Sequence, residues 1–183
     1  MKGIKIEPEI DLQIDLNVTS YIPDEYIQDA NQKIEIYQNI ALCKNEQDIQ
    51  NVIDEIIDRF GNMPKELENL IAIARIKYLA KQLKVIKIAS TKMAGNSTKT
   101  NRRASDRTAN NRTAVVFTFE PNKFELDLND LVRKYGNKIK FSAGIKPMIT
   151  LQIESEGNNS ERQILHDITE FLSFSALSGT GTK

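Results

Sequence analysis

NEQDIQNVIDEIIDRFGNMPKELENLIAIARIKYLAKQL, residues Asn45 to Leu83, is the stretch that decides the fold. Ile49, Val52, Ile53, Ile56, Ile57 and Phe60 recur at three- and four-residue spacing, which places them on one face of a helix that must bury itself. Asn45 with Asp48 three residues later predicts the N-cap. Gly61, directly after Phe60, predicts the stop, because glycine takes the left-handed conformation that ends helices. Asn62-Met63-Pro64 then restarts the chain with a proline in a first-turn position. Leu67, Leu70, Ile71, Ala74 and Tyr78, with Ile73, Ile76, Ala80 and Leu83, give the second helix an apolar face too broad for one neighbour, so packing on both sides is expected.

The polar side of the first helix carries Asp54, Glu55, Asp58 and Arg59. Glu55 and Arg59 are an i, i+4 pair, and with the two acids they make a compact charged ridge beside a helix end. Spacing alone leaves two readings open: a solvated face or a surface that binds a partner.

Outward from this stretch, Ile10, Leu12, Ile14 and Leu16 alternate with polar residues as a half-buried strand. Tyr21-Ile22-Pro23-Asp24-Glu25-Tyr26-Ile27 follows as a tight aromatic turn, and Asp29 caps a helix to about Cys43 with Ala30, Ile34, Tyr37, Ile40 and Ala41 as its apolar positions. After Leu83, Val85, Ile86 and Ile88 make a short strand. Val115, Phe117 and Phe119 make another, and a helix capped by Asp127 runs to Gly136. Lys138 to Ser142 and Met148 to Ile153 read as two further strands, and a last helix from about Asn159 to Phe174 buries Ile164, Ile168, Phe171 and Leu172. The expected class is α+β: an N-terminal strand and three-helix segment packed with a small, mainly antiparallel sheet carrying two helices. Residues 1–89 and 113–175 form one domain in this reading, with a mobile basic insertion at 90–112 and a frayed tail at 176–183.

The chain has 183 residues, 25 basic and 25 acidic, and the balance is uneven: residues 1–89 hold 11 basic and 15 acidic side chains, residues 90–113 hold 6 and 1, and residues 114–183 hold 8 and 9. Lys92, Lys99, Arg102, Arg103, Arg107 and Arg112 concentrate the positive charge in one apolar-poor segment. Lys99, Arg102, Arg103 and Arg107 are the candidate phosphate contacts of an alternative reading, a stand-alone nucleic-acid-binding module. That segment lacks aromatic residues for stacking on unpaired bases. Gly95-Asn96-Ser97-Thr98-Lys99-Thr100 lacks the glycines of a phosphate-binding loop.

Catalytic machinery is not legible. His166 is the sole histidine and Cys43 the sole cysteine, which excludes an internal disulfide and a thiolate zinc cluster. No nucleophile elbow, dinucleotide fingerprint or calcium loop occurs, so no catalytic, cofactor or metal residue is assigned. No apolar run approaches the roughly 20 residues that cross a membrane, and Met1-Lys2-Gly3-Ile4 does not open a signal peptide. A cytoplasmic location and no membrane partner are expected.

Two motifs at a fixed separation point further. Tyr21-Ile22-Pro23-Asp24-Glu25-Tyr26-Ile27, with Lys33 and Tyr37, and then Ile57-Asp58-Arg59-Phe60-Gly61-Asn62-Met63-Pro64 with Leu70, closely resemble the C-terminal module of bacterial transcription-repair coupling factors. The resemblance is strong from about Ile10 to Ile88 and is one of pattern from Thr113 to Leu172; the segment from Ser90 to Arg112 looks like an insertion and inherits no role. It implies an excised terminal domain of an ATP-driven DNA translocase that displaces stalled RNA polymerase at lesions and recruits nucleotide-excision repair. The motor, with its ATP and magnesium, lies outside this chain, so the chain itself is expected to be non-catalytic. The resemblance also implies an autoinhibitory role: intramolecular contact with the factor's N-terminal repair-protein-like domain, masking the surface for the excision-repair damage sensor and restraining DNA binding. The family's contact residues correspond to Glu55, Asp58 and Arg59.

Overall fold

The computed structural model describes residues 11–93, 111–155 and 160–178. The order of elements is β1 (Gln13–Asp15), α1 (Ala30–Leu42), α2 (Glu46–Phe60), α3 (Lys65–Gln82), β2 (Val85–Met93), β3 (Asn111–Phe119), α4 (Leu128–Tyr135), β4 (Ile139–Ser142), β5 (Met148–Ser155) and α5 (Ser160–Ser178). Its strands form one five-stranded sheet in the order β1-β2-β3-β5-β4, with only the β1–β2 pair parallel. The α+β expectation holds.

Helix ends follow their side chains. Asp29 accepts from the backbone N–H groups of Asn31 and Gln32, Asn45 accepts from Asp48 N at 2.8 Å, and Asp127 accepts from Asn129 and Asp130. Each interaction satisfies a donor that the first helical turn leaves without an intrahelical partner. Gly61 has φ +82, a conformation that costs glycine nothing and other residues about a kcal/mol or more. Pro64 stands at the N-cap of α3, one place earlier than its sequence position implied, and its carbonyl accepts from Leu67 and Glu68.

Two apolar cores meet along α3. The first joins Ile22 and Ile27 of the aromatic turn to Ile36, Ile40, Ile49, Val52 and Ile56, and α3 supplies Leu67 and Ile71. The second lies on one face of the sheet, where Val85, Ile88, Val115, Phe117, Phe119, Ile149, Leu151 and Ile153 meet Leu131 of α4 and Ile164, Leu165, Ile168, Phe171 and Leu172 of α5. Here α3 supplies Ile76 and Ala80. Its N-terminal half therefore serves one core and its C-terminal half the other, as the breadth of its apolar face requires.

Three expectations change. β2 runs on to Met93 and β3 starts at Asn111, so Ser90–Met93 and 111–112 belong to paired strands, not to a mobile loop. Polar Ser, Thr and Lys concealed these extensions, because a strand edge needs main-chain partners more than apolar side chains. Helix α5 continues through Ser178, so Ala176–Ser178 are helical, with Ser178 Oγ donating to the Phe174 carbonyl at 3.1 Å. On α1 the buried positions are Ile36 and Ile40, while Ile34 and Tyr37 are 55% and 37% exposed. The apolar face of α1 is turned relative to the expected one.

Candidate functional site

The charged ridge rises from the second half of α2. Burial of Ile49, Val52 and Ile56 fixes the rotation of this helix and turns Glu55, Asp58 and Arg59 outward. Arg59 Nη1 lies 2.6 Å from Glu55 Oε1, and its Nη2 lies 3.6 Å from Glu35 Oε2 on the neighbouring α1. The guanidinium carbon also sits 5.0 Å from the centre of the Phe60 ring. The hydrogen bond to Glu55 raises the Arg59 pKa further, with Glu35 adding to it, so Arg59 is a fixed cation at any ordinary pH. Asp58 stands exposed beside it.

Glu35 is the member that sequence reasoning missed. It lies 20 positions before Glu55, on a helix whose apolar positions Ile34 and Tyr37 are exposed while Ile36 and Ile40 are buried. With Ile36 and Ile40 inward, Glu35 comes within 3.6 Å of Arg59.

The ridge is held by the aromatic turn. Tyr26 Oη donates to the carbonyl of Gly61 at 2.8 Å, and its ring packs on Phe60 with centroids 6.0 Å apart. Burial raises the Tyr26 phenol pKa, so the proton in this bond stays in place. Backbone N–H of Ile22 donates to Tyr37 Oη at 2.9 Å, and Lys33 pairs with Asp24. These bonds tie the Tyr-Ile-Pro turn to α1 and to the end of α2. The fixed separation of the two motifs is thus explained by contact: one segment clamps the other.

The structure brings Glu55, Asp58 and Arg59 together as expected from one helix. Lys99, Arg102, Arg103 and Arg107 lie outside the described residues, and the flanking Arg112 pairs with Glu154 at 3.0 Å across β3 and β5. His166, Asp167 and Glu170 approach one another on α5, but Gln163 donates to Asp167 at 2.7 Å and Lys134 pairs with Glu170 at 2.9 Å, so both acids already have protein partners.

A family model for the TRCF domain matches residues 16–109, which include the aromatic turn, all three N-terminal helices and the ridge. The chain belongs to the TRCF-domain family. Similar proteins include the transcription-repair-coupling factor of Bacillus subtilis, 41% identical over 93 residues, and that of Escherichia coli K12, 32% identical over 83 residues. These matches cover 51% and 45% of this chain but only 8% and 7% of the relatives, so the TRCF domain spans a small part of their length. A crystal structure of the C-terminal domain of a transcription-repair coupling factor superposes with a TM-score of 0.69 at 20% identity, covering 94% of this chain and 96% of the other. The structural match extends past residue 109, where the family model ends.

Proposed function

We propose that this TRCF domain is the non-catalytic, autoinhibitory module of a transcription-repair coupling factor. In this reading the whole factor is an ATP-driven translocase that displaces stalled RNA polymerase from damaged DNA and recruits nucleotide-excision repair. The ridge of Glu35, Glu55, Asp58 and Arg59 clamps the factor's N-terminal repair-protein-like domain and covers its surface for the excision-repair damage sensor.

The observation that supports this reading is the construction of the ridge. Arg59 is held between two carboxylates and over a ring, yet its side chain remains 32% exposed. A partner carboxylate can approach the guanidinium without stripping a buried charge of its partner, and a partner arginine can meet Asp58. Ion pairs at a partly wet rim set specificity and orientation and are exchanged at low cost. That suits a contact that must hold in one state of the factor and open in another.

Calorimetry between this domain and the remainder of its factor, supplied as a separate chain, tests the proposal. Reversing charge at Asp58 and Arg59 together should weaken binding at least tenfold, about 1.4 kcal/mol, while the far-ultraviolet spectrum stays unchanged. Binding unaffected by the double reversal removes the ridge from the interface. In the full-length factor the same reversal should raise ATPase activity, DNA affinity and damage-sensor binding together; unchanged values would end the autoinhibitory reading.

A further inference from the structure

A second surface, separate from the ridge, lies between α1 and α3. It is a groove of about 580 Å³ with a floor and walls formed largely by Tyr37 and Ala41 of α1 and Leu70, Ile73, Ala74 and Tyr78 of α3. No residue of α2 lines it. The exposed stripe Ile34, Tyr37 and Ala41, at i, i+3 and i+7 on α1, runs into it. Tyr37 is not a loose surface ring, because its hydroxyl accepts the Ile22 N–H at 2.9 Å and the turn holds it upright. The groove is preformed.

Its charges are of one sign. Lys44, Lys77 and Lys81 line it and no carboxylate does. An apolar floor with a cationic rim fits a guest that is apolar on one side and acidic along its flanks. The walls are helices, whose main-chain groups are already paired, so the groove offers no sheet edge to an extended peptide. An extended guest would leave its own N–H and C=O groups unmatched against apolar walls, whereas a helix satisfies them internally. The volume suits two or three anchor side chains from one helical face.

We propose that the α1–α3 groove docks an acidic amphipathic helix of a separate protein partner, with apolar anchors at i, i+3 or i+4, and i+7 on the floor and flanking glutamates or aspartates against Lys44 and Lys77. The residues that line the groove are not those of the ridge.

Cys43 supplies a built-in reporter, because it is the sole cysteine and lines the groove. Its thiol donates to the Asn39 carbonyl at 3.3 Å, and burial, followed by Asp48, raises its pKa. The probe is an 18-residue helical peptide with leucines on one face and glutamates on its flanks, compared with a peptide of identical leucines and lysine flanks. The acidic peptide should slow alkylation of Cys43 and shift backbone resonances at Tyr37, Ala74, Lys77 and Tyr78. Lys44→Glu with Lys77→Glu should weaken it at least tenfold and strengthen the lysine peptide. Equal binding of both peptides, resonance shifts elsewhere, or no binding at millimolar peptide would overturn the proposal. So would displacement by laurate at lower concentration, which would assign the groove to an amphiphile, or a concentration-dependent dimer protecting Cys43, which would assign it to a second copy. Alkylation of the same cysteine within the purified full-length factor should match that of this domain; protection there would place the guest in the factor itself and overturn a separate partner.

Discussion

The half of the molecule that bears the ridge and the half built on the sheet are held in different ways. Around the ridge the fully buried side chains are all aliphatic, and position is also set by individual polar bonds: Tyr26 to Gly61, Ile22 to Tyr37, and Asn45 to Asp48. In the sheet half, rings fill the centre, with Phe117 stacked on Phe171 at 4.6 Å and Phe119 edge-on to Phe124 at 5.0 Å. Polar bonds at named atoms demand named residues. An alternating apolar strand under a helix accepts many side chains of similar volume. The family match covers residues 16–109, whereas the structural match covers 94% of the chain.

The largest effect should come from the centres of the two cores. Phe117→Ala should destabilise by about 3–5 kcal/mol and Ile56→Ala by about 2–5 kcal/mol, since both side chains are fully buried. Because α3 contributes to both cores, each substitution should move one shared urea transition, read by circular dichroism and tyrosine fluorescence alike. Two separable transitions would break the molecule at the middle of α3 and make the halves independent folding units.

A polar junction also joins the halves. Asn69 is 3% exposed, and its Nδ2 donates to the Thr19 carbonyl at 2.8 Å and to Glu161 Oε2 at 3.3 Å. Thr19 Oγ1 donates to the other oxygen of Glu161 at 3.1 Å. Linker, α3 and α5 thus share one carboxylate. Asn69→Leu should cost about 1–3 kcal/mol, because it removes two hydrogen bonds, one of them to a carboxylate. A loss well below that of Thr19→Val, measured by the same urea titration, would mean that the hydroxyl rather than the amide holds the junction.

The contrast between the halves also governs what the sequence makes legible. Caps at Asp29, Asn45 and Asp127 and stops at Gly61 and Gly136 are local chemistry, and each was readable within a few residues. The double-sided burial of α3 was readable from the width of its apolar face. The parallel pairing of β1 with β2 was not, because register between strands some seventy residues apart depends on how the intervening helices pack. Arg59 with Glu55 follows from helical spacing, whereas Glu35 needed the rotation of α1. That helix carries two candidate apolar faces, and the buried one is chosen by tertiary contact: Ile36 and Ile40 meet the aliphatic core while Ile34 and Tyr37 do not. Asn69 carried no signal at all, since a lone amide in a helix is unremarkable until its partners arrive from Thr19 and Glu161.

A smaller effect should separate clamping of the ridge from its stability. Tyr26→Phe removes one hydroxyl and keeps the ring on Phe60, so it should cost about 0.5–1.5 kcal/mol of stability. If the turn aligns the ridge, the same substitution should also weaken binding to the remainder of the factor, although Tyr26 bears no charge. Loss of stability with unchanged affinity would show that α2 alone presents the ridge.

The least effect concerns the sheet half, where charge is a burden on α5. Burial raises the Asp167 pKa above its ordinary 3.8, outweighing the Gln163 hydrogen bond and the nearby His166 and Lys138, which lower it. A raised carboxylate binds its proton more tightly in the folded state, so the folded protein carries a penalty when Asp167 is ionised and none when it is protonated in both states. Asp167→Asn should therefore be the more stable protein at pH 7 by urea titration, and its advantage should shrink as pH falls through the folded value and vanish below about 3.8. A variant less stable than the parent at pH 7 would show that the Gln163 bond outweighs desolvation. Arg59→Gln supplies the contrast on the ridge: that charge is met by Glu55 and Glu35 at the surface, so its removal should leave the urea midpoint nearly unchanged at either pH while still weakening the clamp. Charge on the ridge would then serve recognition, and charge on α5 would be tolerated for its hydrogen bonds.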